Sequence, residues 1–244
     1  MPSMLGADTH SQRVGARPRA TDATAPGDDQ ADAVSLGPVD TLAIIDTETT
    51  GLDPATDRVI EIGCVLWSVR YWCVIAAWSD LVQQPSNGAE AVNRIPAEAL
   101  PLGIGWDAGI ARLRRFTDRA DVLVAHRAEF DSAFLPDLGK PWVCSKFDIE
   151  WPASKPGDSC VNVALAHGVA VTSAHRALTD CFLLANAFTA AARHYGANID
   201  AMLTKAMRPK GTFLACVNFD QREQAKAAGF QWDPASKTWR RRMA

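Results

Sequence analysis

Four acids and one histidine have the residue types and settings that can hold a cation or move a proton. Asp46 and Glu48 stand two apart at the end of the apolar run LAIID (42–46). Strand alternation sends side chains two apart to the same side, so both carboxylates share a face. Neighbouring acids beside a buried block repel unless protons or a cation intervene. Asp131 follows a second apolar run, DVLVAH (121–126), in the first turn of a predicted short helix, where the helix dipole alone would favour an acid. Asp180 lies inside a long, mostly apolar helical segment beside Cys181 and Phe182, an unexpected place for a solvated acid. His175 is five positions earlier. Five positions on a helix are about 140° apart, so the spacing puts His175 at the loop-to-helix junction, over a site into which Asp180 points. Each residue alone has an ordinary explanation, as a turn acid, a helix-start acid or a capping histidine. Their value lies in the combination.

The elements that must position them can be read from periodicity. LAIID, ending in TETTGLDP, reads as a buried strand. RVIEIGCVLWSV (58–69) and YWCVIAAWSDLV (71–82) read as two more, joined as a hairpin, with Arg70 leaving the turn position open. Ile110, Leu113 and Phe116 recur at helix spacing within 93–118. A strand over DVLVAH, a short helix over AEFDSAFL (128–135) and a further strand over WVCSKF (142–147) follow. SCVNVALAHG (159–168) reads as a helix closed by Gly168. A long helix runs from about 175 to 194, its stripe made of Leu178, Cys181, Phe182, Ala185 and Phe188 and widened by Leu183 and Leu184. Three antiparallel strands, then helices alternating with strands, give an α/β domain over 39–195 with a mixed β-sheet flanked by helices.

Composition bounds the rest. A chain of 244 residues, 48% hydrophobic, buries one substantial core with room for a small module. A net charge of -3 and a pI near 5.9 do not describe a protein that coats duplex nucleic acid. The six cysteines form no CxxC pair. Cys64 and Cys216 sit in apolar stretches and read as small buried hydrophobes, which points to a reducing, cytoplasmic setting. No stretch has the apolar length to cross a bilayer, and the first residues lack the apolar block of a secretory signal. Asp8, Asp22, Asp28 and Asp29 argue against an organelle transit peptide. Residues 1–38 contain no Phe, Trp or Tyr and read as a disordered tail. Residues 196–208 read as a linker to a small basic module over 209–244.

LAIIDTETTGLDP (42–54), LVAHRAEFD (123–131) and HRALTD (175–180) resemble, in order and separation, the three motifs of the DEDDh family of 3′–5′ exonucleases. That family includes the proofreading subunit of bacterial DNA polymerase III and oligoribonuclease. The resemblance implies a ribonuclease H-like fold, with Asp46, Glu48, Asp131 and Asp180 holding two Mg²⁺ or Mn²⁺ ions. It makes His175 the general base and nucleoside 5′-monophosphates the product. It also implies that Thr49 meets the terminal sugar, that Gly51 and Leu52 form the wall against the last base, and that Phe130 lines the same pocket. Ordinary core packing explains Leu52 and Phe130 equally well. Arg127 departs from the asparagine common at that place in the family, and either grips a phosphate or points to solvent. The stretch PWVCSKFDIEWP (141–152) is similar to one in stand-alone bacterial exonucleases, and relatives are often homodimers.

Past Gly196 the character changes: 201–244 carry nine Lys/Arg against three Asp/Glu. Residues 213–243 resemble a small module of DNA-processing proteins: a strand, a short helix over REQAKAAG and a tight W-D-P-x-x-K-x-W hairpin. Trp232 and Trp239, with Lys237 and Arg240 to Arg242, can stack bases and hold phosphates. Alternatively the tryptophans form the core of a minimal domain, the reading that size favours. Degradation of single-stranded DNA from its 3′ end is the leading expectation for the whole chain. RNA 3′-end trimming and a catalytically idle nucleic-acid adaptor are its rivals. A small-molecule enzyme is disfavoured, because no Gly-rich phosphate loop or dinucleotide fingerprint occurs.

Overall fold

The computed structural model describes residues 38–209, 211–233 and 236–243. The tail predicted over 1–38 lies outside them except for Pro38. The first strand, β1 (Thr41–Thr49), continues past the expected turn, so Asp46 and Glu48 are strand residues. β2 (Val59–Ser68) and β3 (Cys73–Leu81) form the antiparallel hairpin. Its connection takes residues 69–72, with Trp72 at φ 53°, and not Arg70 alone. Then come α1 (Glu90–Asn93), α2 (Trp106–Thr117), β4 (Val122–Ala125), α3 (Ala128–Phe134), β5 (Trp142–Cys144), α4 (Cys160–Ala166), α5 (Ala177–Tyr195) and α6 (Ile199–Ala206).

The strands form one sheet in the order β3-β2-β1-β4-β5. β1 to β3 are antiparallel, whereas β4 runs parallel to β1 and β5 parallel to β4. Every residue of β2 is buried, as its near-continuous apolar run suggests for a strand covered on both faces. Alternation along β1 splits the core in two. Leu42 and Ile44 pack with Phe188, Ala191 and Leu203 of α5 and α6, while Ala43 and Ile45 pack with Leu113 of α2 and Leu135 after α3. Phe188 is fully buried and lies 5.7 Å from the Trp67 ring. Burying such a ring contributes about 1.5–3 kcal/mol.

Two expectations are corrected. The segment read as a linker, 196–208, is largely α6. Asn198 caps that helix by accepting the Ala201 N–H at 3.0 Å, and Ile199, Leu203 and Ala206 seal it onto the core under α5. Three buried apolar positions in eight residues suffice because α5 and the sheet supply the surface they cover. Second, Cys216 is exposed whereas Cys64 is buried, because the module around Cys216 encloses little core. In that module β6 (Gly211–Ala215), α7 (Arg222–Ala227), β7 (Gln231–Asp233) and β8 (Thr238–Met243) follow in the expected order, with the strands arranged β6-β8-β7.

Candidate active site

The face of β1 that carries Leu42 and Ile44 against α5 also carries Asp46 and Glu48, by the same two-residue period. Asp180, in the first turn of α5, meets them there. Ligand oxygens of Asp46, Glu48 and Asp180 all lie within 4.8 Å of one another. Gly63 makes this approach possible. It stands opposite Asp46 on β2, and a Cβ there would lie 2.5 Å from the Ala177 carbonyl carbon, inside the backbone of the first turn of α5.

Asp131 comes from α3 and is buried. The β1–β4 ladder ends at Ile44 opposite Val124, so the Thr47 N–H projects past it, and Asp131 Oδ1 accepts that N–H at 3.0 Å. The Thr47 hydroxyl donates to the same oxygen at 2.9 Å. Three of the four predicted acids thus meet at one point, while Asp131 is committed to Thr47 and acts on Asp46 through its charge.

Crowded carboxylates resist ionisation. Burial, followed by the charges of Asp131, Asp180 and Glu48, holds the Asp46 carboxyl well above its ordinary range. Burial and then the Glu61 charge push Glu48 to about 8. Burial raises Asp131, partly offset by the Thr47 hydrogen bonds. Burial raises Asp180 too, and the His175 N–H, donating to its Oδ2 at 3.1 Å, moderates the rise. The other oxygen, Asp180 Oδ1, is buried with no hydrogen-bond partner among the described residues. Such an orphan is costly unless something absent from the protein itself completes it. Clustered oxygen donors fit hard divalent cations such as Mg²⁺ and Mn²⁺.

His175 precedes α5 with its side chain exposed and its backbone in the left-handed region at φ 63°. Two residues that the sequence reading passed over fix that junction. Glu61 of β2 is 3% exposed, and its carboxylate accepts from Arg176 Nε at 3.0 Å, Arg176 Nη2 at 2.9 Å, the Ala177 N–H at 3.1 Å and the Ser79 hydroxyl at 2.9 Å. A carboxylate on the first N–H of α5 is well placed against the helix dipole. Glu61 therefore grips the chain on one side of His175, and Asp180 holds the His175 N–H itself. The signal for Glu61 was an acid inside the apolar strand VIEIGCV, and the signal for Arg176 its place directly after His175.

The predicted substrate residues surround the turn after β1. Thr49 is buried, and its hydroxyl donates to the Gly51 carbonyl at 2.6 Å, so it is engaged in the turn. A Cβ at Gly51 would lie 2.4 Å from the Asp57 carboxylate, which would have to move to admit it. Leu52 is 78% exposed, which removes core packing as its explanation. Phe130 is half-buried against Phe134 at 4.9 Å, and the Arg127 guanidinium lies over the Phe130 ring at 5.7 Å.

Residues 43–137 match the family model described as Exonuclease, and 211–244 match that of a domain of unknown function (DUF8626). Over 179 residues the chain is 30% identical to the DNA polymerase III subunit epsilon of Treponema pallidum, aligning 67% of this chain with 82% of that protein. The chain belongs to the DEDDh-type 3′–5′ exonuclease family. Among solved structures, exonuclease X in complex with 5′ overhanging duplex DNA is 26% identical, with a TM-score of 0.54 over 68% of this chain and 99% of that one. E. coli exonuclease I in complex with a dT13 oligonucleotide is 17% identical, with a TM-score of 0.56 and 44% of its length covered, a likeness of fold alone. The mixed sheet with its flanking helices is the ribonuclease H-like fold of these exonucleases. Among the described residues, no helix is long and apolar enough to cross a membrane.

Proposed function

We propose that this exonuclease removes nucleotides one at a time from the 3′ end of single-stranded DNA, using two Mg²⁺ or Mn²⁺ ions and releasing nucleoside 5′-monophosphates. The observation that carries this reading is the meeting of Asp46, Glu48 and Asp180 within 4.8 Å, with one buried Asp180 oxygen lacking a hydrogen-bond partner among the described residues. Those three side chains hold the ions, and Asp131 completes the set from α3. When bound, the ions supply an activated water and a counter-charge for the leaving oxygen. His175, exposed at the junction fixed by Glu61 and Asp180, would accept the proton of the attacking water. Leu52, exposed at the tip of the turn, and Phe130 flank the terminal base, and Arg127 meets a phosphate beside the Phe130 ring. Exonuclease X, 26% identical, is bound to 5′ overhanging duplex DNA, which supports DNA as the substrate class.

Digestion of a 5′-labelled DNA strand, with a matched RNA strand alongside, tests the reading. The expected result is a ladder shortening from the 3′ end in Mg²⁺, none in EDTA, and faster loss of DNA than of RNA. Asp46→Asn is expected to abolish the ladder, and His175→Ala to slow it roughly 10²–10⁴-fold. Cleavage that persists in EDTA, or an Asp46→Asn protein of normal activity, would overturn it.

A further inference from the structure

The C-terminal sheet contributes nothing to the carboxylate cluster, yet its surface has a definite chemistry. Residues 211–244 carry six Lys/Arg against three Asp/Glu, in a chain whose net charge is -3. The rest of the chain is therefore net acidic, a poor hold for a long polyanion. Directly opposed residues of antiparallel strands share a face. Phe213 opposes Arg241, Trp232 opposes Trp239, and Trp239 and Arg241 are two apart on β8. One face of the sheet thus gathers Phe213, Trp232, Trp239 and Arg241.

These rings are not a sealed core. Among the module's residues of described burial, Ala225 of α7 alone is buried, while Phe213 and Trp232 are each 49% exposed. The core reading of the tryptophans therefore gives way to an open aromatic surface, with the rings of Trp232 and Trp239 5.7 Å apart and inclined by 58°. Arg241 is exposed, and its guanidinium donates to the Ala228 carbonyl past the end of α7, which steadies a cation beside the rings. Lys237 is exposed in the tight turn between β7 and β8. Of the three acids, Glu223 pairs with Lys226, Asp233, with Arg240, belongs to the opposite face of the sheet, and Asp220 lies in the connection before α7, off the strands.

We propose that this face is a second nucleic-acid-binding surface, which takes a single strand by stacking bases on Trp232 and Phe213 and contacting phosphates through Lys237 and Arg241. Half-exposed aromatic rings beside the cations Arg241 and Lys237, with no acid among the strand residues of that face, match a single-stranded polyanion: every base offers a ring to stack, and phosphates repeat along the backbone. The proposal deepens the exonuclease reading by giving the strand a hold outside the cluster that cuts it.

Fluorescence anisotropy of a labelled single-stranded oligonucleotide, measured in EDTA over a salt series with the full-length chain, tests it. Trp232→Ala is expected to weaken binding roughly tenfold. Lys237→Glu, on an exposed turn residue and so independent of any folding defect at the tryptophan, is expected to lower the slope of log affinity against log salt by about one. Equal affinity and slope in the wild type and both variants would overturn the proposal. So would unchanged strand binding with a shift in the protein's own association state, which would make the face a contact between copies. Hydrolysis by the wild type in Mg²⁺ reports separately on the catalytic reading, so the two can fail independently.

Discussion

Glu61 shows how much of this site is held by a residue that touches no reacting atom. Its carboxylate satisfies both Arg176 and the first N–H of α5, and His175 sits beside that grip in a left-handed conformation. Glu61→Gln is expected to cost about 2–3 kcal/mol of stability, because a charged acceptor is lost from a buried set while Arg176 can rehydrate. Turnover is expected to fall with KM for a short strand unchanged, and Glu61→Asp to recover part of it. A variant that loses only thermal stability, with kcat intact, would reduce Glu61 to a packing role. The cluster itself governs the response to pH. Glu48 is pushed to about 8, and Asp46, Asp131 and Asp180 are raised too, against about 4 in an unfolded chain. Between those values the metal-free folded protein keeps protons that the unfolded one releases, so the cluster's contribution to stability is full below about 4 and is lost as pH rises towards 8. Melting in EDTA is expected to fall steadily from pH 5 to 8, and saturating Mn²⁺ to flatten the decline; a midpoint that climbs over that range would contradict the charge assignment. Asp46, Glu48, Asp180 and His175 were legible because each sits at a motif position or a break in an apolar run. Glu61 breaks an apolar run too, but its role was not legible, since its partner Arg176 is 115 residues away and only folding brings them together.

For the secondary-structure elements, the decisive contact is that of β2 with the start of α5. Gly63→Ala would drive a methyl group into the Ala177 backbone, which cannot yield without moving the turn that bears His175 and Asp180. The expected result is a loss of about 3 kcal/mol, at the upper end for overpacking, together with a large loss of activity, read by denaturant unfolding and strand digestion. A fully active, fully stable Gly63→Ala protein would show that this close approach is not needed. The strands and α5 could be read from their periodicity, whose apolar positions the fold does bury. Helix α6 could not. Gly196, at φ 65°, ends α5 so clearly that the following residues read as a linker, and a helix of eight residues has too short a stripe to announce itself.

The whole molecule separates two kinds of charge. Acids gather where the sheet meets α5, and cations gather on the C-terminal module, so the two proposals assign cutting and holding a strand to different parts of one chain. The sequence displayed both concentrations but not the exposure of Trp232, because a pair of tryptophans in so small a module reads equally as core. Underlying the account is the claim that the carboxylates of Asp46, Glu48 and Asp180, with Asp131 beside them, are stable together only around divalent cations. Calorimetric titration of Mn²⁺ into the full-length protein at pH 7, repeated in buffers of different ionisation enthalpy, tests this most directly. Saturable binding with release of protons is expected, since raised carboxyl groups must ionise to become ligands, and Asp46→Asn should weaken the binding and diminish the release. No saturable binding, or binding by Asp46→Asn equal to that of the wild type, would contradict it.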